Sequence, residues 1–175
     1  MSQAVPTAAA PSVSPSIVTT IPIGSAYNGV VNPAGTRAYV AGADNGTPAI
    51  SVIDTATNTV TATIPTPSAS DSMALSPTGD RLYAGSTAAG TVTVIDTSTN
   101  AISATIQVAN PTSSQPQPLL IVATQNQVYV ANPTAGTVAY IRTATNTVSQ
   151  VVDVHGTPNV LAASSEGKQL YVGMP

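Results

Sequence analysis

Ten residues are written three times in this chain. "SVIDTATNTV" spans Ser51–Val60, "TVIDTSTNAI" spans Thr93–Ile102, and "AYIRTATNTV" spans Ala139–Val148. A string that returns at regular spacing calls for a unit that returns in space. A second marker repeats with it: Tyr39, Tyr83, Tyr129 and Tyr171 sit in "RAYVAG", "RLYAGS", "QVYVAN" and "QLYVGM", 42 to 46 residues apart.

Each unit reads as four short strands. In the second, "DSMALS" (Asp71–Ser76) is followed by the turn signal Pro77-Thr78-Gly79, then by "RLYAGS" (Arg81–Ser86). After Thr87–Gly90 come "TVTVID" (Thr91–Asp96) and "AISATIQV" (Ala101–Val108). The runs are short, β-branched and bounded by Gly, Pro and Asn, which is the pattern of strands, and helical periodicity is absent almost throughout. Alternation in "TVTVID" predicts threonine outward and Val or Ile inward. The period and the strand count predict an all-β fold, a β-propeller of four-stranded antiparallel blades.

Turn chemistry explains the repeated string. It is the hairpin between third and fourth strands. Asp54 and Asp96 are placed to accept hydrogen bonds from backbone N–H groups just ahead, and Asn58 and Asn100 to take the left-handed conformation that closes the turn. These four are structural turn residues, and a metal-ligand or acid-catalyst role is not read into them. The third copy has Arg142 in place of the aspartate while Asn146 stays, so that hairpin needs a different closure. "ADNGTPA" (Ala43–Ala49) is likewise turn chemistry: one Asp is thin provision for calcium, which takes six to eight oxygens.

Composition narrows the function. Charged residues are 6% of the 175, and the net charge is −3. Nucleic-acid binding needs clustered Lys and Arg, whereas Arg37, Arg81, Arg142 and Lys168 are spread one per repeat and read as solvated turn or strand-edge charges. No apolar run approaches the ~20 residues that span a bilayer, so no membrane insertion is expected. Without cysteine there is neither disulfide nor thiolate metal site, and no cofactor or metal is expected. Residues 1–15 read as a Pro/Ala/Ser-rich linker with no basic region ahead of an apolar core.

"SPTGDRLYAGSTAAGTVTVIDTSTNAISATI" (Ser76–Ile106) resembles the YVTN-type β-propeller repeat of bacterial and archaeal surface and secreted proteins. Asn32–Ile64 carries the same pattern, Ala123–Val154 a looser one, and Ser164–Gly173 a part of it. WD40 repeats do not fit, because the chain has no tryptophan and no Gly-His pair. The resemblance implies an extracellular or cell-surface setting. It says little of activity, since propellers host adhesion, ligand binding and enzymes alike.

Within residues 16–175, blades are expected at about 26–65, 69–108 and 117–154. Residues 159–173 supply the first two strands of another blade, and "SIVTTIPIG" (Ser16–Gly24) reads as a fourth strand closing it into a composite blade that lacks its third. An unfinished blade exposes apolar faces and strand edges, which invites self-association or pairing with a missing propeller portion. Candidate ligand-binding residues lie where loops enter the first strands at the channel mouth: Tyr27, Asn28, Asp71, Ser72, His155 and Asn159. "NPTSSQPQP" (Asn110–Pro118) runs over the same face. No residue is assigned as catalytic. The expectation is a non-enzymatic interaction or scaffold propeller that binds protein or glycan or assembles with itself. The alternative is a lactonase-like hydrolase, for which the chain offers at most Asp71 and His155 at the channel.

Overall fold

The computed structural model of the chain describes residues 19–109, 119–164 and 166–175. Blade 1 comprises β1 (Ser25–Val31), β2 (Arg37–Asp44), β3 (Thr47–Asp54) and β4 (Thr59–Pro65). Blade 2 comprises β5 (Ser72–Leu75), β6 (Arg81–Ser86), β7 (Thr91–Asp96) and β8 (Ala101–Gln107). Blade 3 comprises β9 (Leu120–Ala123), β10 (Gln127–Asn132), β11 (Thr137–Arg142) and β12 (Thr147–Asp153). Blade 4 holds β13 (Val160–Ala163) and β14 (Leu170–Gly173). Each blade is an antiparallel meander in sequence order, and the first strands of successive blades lie side by side at the centre. This is a β-propeller with three full blades and a partial fourth.

The blades stack through their faces. Tyr39, Ile50 and Val52 of blade 1 pack on Leu82, Ala84 and Ile95 of blade 2. Tyr83, Val92 and Val94 of blade 2 pack on Val128, Val130 and Ile141 of blade 3. Tyr129 and Val138 of blade 3 meet Leu161, Leu170 and Val172 of blade 4. Fully burying one such aliphatic side chain stabilises by about 1.5–3 kcal/mol. Blade 2 therefore has no solvent face, and this corrects the alternation expected for β7: Thr93 is only 3% exposed. Its strand is covered on both sides, so inward and outward lose their meaning there.

Local chemistry sets the hairpins. Asn45 and Gly46, at φ 48° and 82°, join β2 to β3 in a two-residue turn of the kind Asn-Gly favours. Those strands run eight residues each, two longer than their counterparts in blade 2. The outer hairpin of every full blade carries the same irregularity. Register shifts between Val52 and Ile53, Val94 and Ile95, and Tyr140 and Ile141. The extra residue on the outer strand is Thr61, Ser103 or Ser149, and its hydroxyl donates to the carbonyl of Val52, Val94 or Tyr140 at 3.1–3.2 Å. A β-bulge of this kind bends and twists the outer strand.

The composite blade expected of residues 16–24 and 159–173 falls partly outside the described residues, which begin at Thr19. Residues 1–18, which include the expected linker, and residues 110–118 lie outside the described ones. Residues 19–24 form no strand, and β13 and β14 pair only with each other among the described residues. Gly24 instead lies against the Ala43 carbonyl of blade 1.

Candidate functional site

The channel mouth is built from the residues that lead into the first strands. Tyr27 is 57% exposed, and Asn28 follows it at a register shift in β1. Asp71 is held by backbone contacts: its N–H donates to the Gly85 carbonyl at 3.0 Å, and its Oδ2 accepts from the Thr87 N–H at 3.1 Å. Its Oδ1 is buried without a hydrogen bond among the described residues. Ser72 pairs with Gly85 inside the blade. Asn159 is exposed, with its N–H donating to the Gly173 carbonyl at 3.0 Å.

His155 sits apart from Asp71 in its bonding. It takes a left-handed φ of 53°, its N–H donates to Asp153 Oδ1 at 2.7 Å, and its Nδ1 stands 3.4 Å from the same oxygen. Both side chains are exposed. Asp153 thus serves as a local turn acceptor for His155, and no hydrogen bond or ion pair joins His155 to Asp71 among the described residues. No three His, Asp or Glu side chains gather into a cation-binding cluster among them either.

The opposite face carries the hairpins of the repeated string. Asp54 Oδ1 accepts from the N–H groups of Ala56 and Thr57 at 2.9 and 2.8 Å and from the Thr57 hydroxyl at 3.0 Å. Asp96 Oδ1 accepts from the N–H groups of Ser98 and Thr99 at 2.8 and 3.1 Å. Asn58, Asn100 and Asn146 all take φ of 55–57°. Without an aspartate, the third hairpin closes through the Asn146 N–H on the Arg142 carbonyl at 2.9 Å.

These bonds hold both carboxyls below the ordinary aspartate value, chiefly through the Thr57 N–H at Asp54 and the Ser98 hydroxyl at Asp96. An acid with a depressed folded pKa stabilises above its unfolded pKa and stops doing so as pH falls through the folded one. Melting temperature should therefore drop as pH falls from about 4. Asp54→Asn combined with Asp96→Asn should flatten that drop while leaving the neutral-pH fold intact by circular dichroism. Parallel melting curves against pH would show that the acid sensitivity arises elsewhere.

Two arginines read from the sequence as solvated charges turn out to bridge blades. Arg37 Nη1 donates to the Thr97 carbonyl of blade 2 at 2.9 Å, and Arg81 Nη1 donates to the Thr143 carbonyl of blade 3. Beside Arg81 lies a cleft of about 210 Å³ between blades 2 and 3. Asp80 and Tyr83 line it from blade 2 and Gln125 from blade 3. None of these was a sequence candidate. The available signal was length: the turn Thr124–Gln127 is two residues shorter than Asn32–Arg37, Ser76–Arg81 and Ser164–Gln169.

No family model and no curated protein matches the chain. Solved structures do. Kuenenia stuttgartiensis hydrazine synthase aligns with a TM-score of 0.72 at 18% identity, over 89% of this chain and 44% of that one. Apo AztD from Citrobacter koseri aligns at 0.63 and 21%, over 82% and 38%. The WD40 repeats of RRP9 align at 0.61 and 19%, over 79% and 41%. The chain spans less than half the length of these proteins. At such identities the likeness is one of fold, and the fold is a β-propeller.

Proposed function

We propose that this chain is a non-enzymatic interaction and scaffold propeller of YVTN type that assembles through the uncovered ends of its arc. One observation carries the reading. Tyr39, Tyr83 and Tyr129 point into the following blade and are 1%, 0% and 3% exposed, whereas Tyr171, the fourth of the series, is 60% exposed. Val160, on the same face of blade 4, is 57% exposed.

The matching surface is at the other end. In blade 2 the cross-strand row Leu75–Leu82–Ile95 faces blade 1. Its counterpart in blade 1 is Val31–Ala38–Ile53, and Val31 is 58% exposed. Each internal junction joins a tyrosine-bearing face to such a row, so the face at one end of the arc is complementary to the row at the other. The occupant we assign is a second copy of this chain, placed head to tail. Such a contact closes into a ring or runs on as a filament. The low charge and Ser/Thr-rich surface suit an extracellular or cell-surface setting.

Light scattering behind a sizing column tests this. The expected result is a discrete mass above that of one chain, reduced to one chain by Tyr171→Asp without loss of the circular dichroism spectrum. A wild-type monomer at all concentrations would overturn it and move the search for a partner to the channel mouth.

A further inference from the structure

We infer that the cleft between blades 2 and 3 is a binding site for a small neutral polyhydroxylated molecule of single-sugar size. The inference is independent of how the arc ends. It starts from the short turn. In blades 2 and 4 the first hairpin turn has six residues and a glycine, and it reaches back to the preceding blade. Gly79 abuts the Pro33 ring, so that a Cβ there would lie 2.9 Å from it. Gly167 abuts Thr124 in the same way, and its carbonyl accepts the Tyr129 hydroxyl at 2.9 Å. The turn of blade 3 has four residues and no glycine. Gln125 occupies the corresponding place, and its carbonyl accepts from Thr143 of its own blade at 3.0 Å. Among the described residues, this shorter turn makes no hydrogen bond back to blade 2.

The consequence is chemical as well as steric. Tyr83 is wholly buried, lines the cleft, and its Oη has no hydrogen-bond partner among the described residues. Burial pushes its phenol up, and the neighbouring Arg81 guanidinium, whose Nη1 donates to the Thr143 carbonyl, opposes this. A buried hydroxyl without a partner is disfavoured, so the site gains from a group that supplies one.

The remaining walls state what kind of group. Asp80 Oδ1 accepts the hydroxyls of Ser76 and Thr78 at 2.6 and 2.5 Å, which holds its carboxyl below the ordinary range. The carboxylate has a second oxygen, Oδ2, that can accept further hydrogen bonds. The Gln125 amide offers both a donor and an acceptor. The Asp80 carboxylate disfavours anions, and the lining as a whole sets acceptors beside donors, the complement of adjacent hydroxyls. The volume of about 210 Å³ lies below the roughly 300–1,000 Å³ of drug-sized pockets. It suits one pyranose ring.

The test is saturation-transfer NMR and calorimetry on the full chain with glucose, galactose and mannose, and with acetate as an anion probe. At least one hexose is expected to bind saturably. Tyr83→Phe and Asp80→Asn should each weaken it roughly tenfold, the loss of one hydrogen bond. Replacing residues 125–126 with the blade 2 sequence Pro-Thr-Gly-Asp should abolish binding and raise the melting temperature, because the longer turn fills the cleft. Three results would overturn the inference: no saturable hexose binding, binding retained after the turn is lengthened, or saturable acetate binding without hexose. Tyr83→Phe keeps the ring in place, so its result is readable even if the lengthened turn fails to fold.

Discussion

Replacing Tyr39 by alanine is expected to cost about 3–5 kcal/mol, whereas the same change at Tyr171 should lie within about 0.5 kcal/mol in dilute solution. The residues hold equivalent places on β2 and β14. Only Tyr39 has a blade on top of it, so only there does truncation open a cavity lined by Ile50, Leu82 and Ile95. Urea titration followed by circular dichroism measures both. The Tyr171 value should also rise with protein concentration, because an association that buries the ring stabilises the folded chain by mass action. Equal costs at the two positions, independent of concentration, would mean that ring burial against a neighbouring blade is not what stabilises the arc.

A second large effect is expected at Gly42. A Cβ there would stand 1.8 Å from the Ser25 carbonyl oxygen and 2.9 Å from its carbon. Both atoms are backbone, in the part of β1 that precedes its bulge, so no rotamer change relieves the clash. Gly42→Val must push β1 away from β2 and withdraw Val30 from the core between blades 1 and 2. Overpacking costs about 1–3 kcal/mol and more when backbone has to move. Hydrogen exchange should show lost protection along β1 before the rest of the blade. Unchanged protection would mean that the edge strand yields outward at no cost.

What the sequence made legible is what neighbouring residues decide. The hairpins follow from Asp, Asn and Gly at fixed offsets, and the blades from the recurrence of the tyrosine and the repeated string. Contacts between blades are decided by residues some 40 to 60 positions apart, and single-sequence patterning does not see them. Thr93, on the same face as Ala84 and Ile95, looks like a surface residue until blade 1 is laid over it. Arg37 and Arg81 look solvated until the next blade brings a carbonyl within reach. Asp71 and His155 are grouped by topology, yet each is held by a separate local partner. The cleft follows from two residues that blade 3 lacks, and a deletion announces itself only when the repeats are set side by side.

The bulges on β4, β8 and β12 bear on how the molecule behaves when crowded. An outermost strand offers a row of unpaired N–H and C=O groups to any passing chain, and a bulge that twists the row away is a known protection against fibril growth. All three complete blades carry one, with a hydroxyl locking it. Strand β14, paired to β13 in unbroken register, carries none. Among the described residues, the edge without a bulge at which edge-to-edge misassembly in concentrated solution can begin is therefore the strand that holds Tyr171. Ordered docking of a blade onto that ring would shelter the same strand, so the correct assembly and the protection against the wrong one coincide.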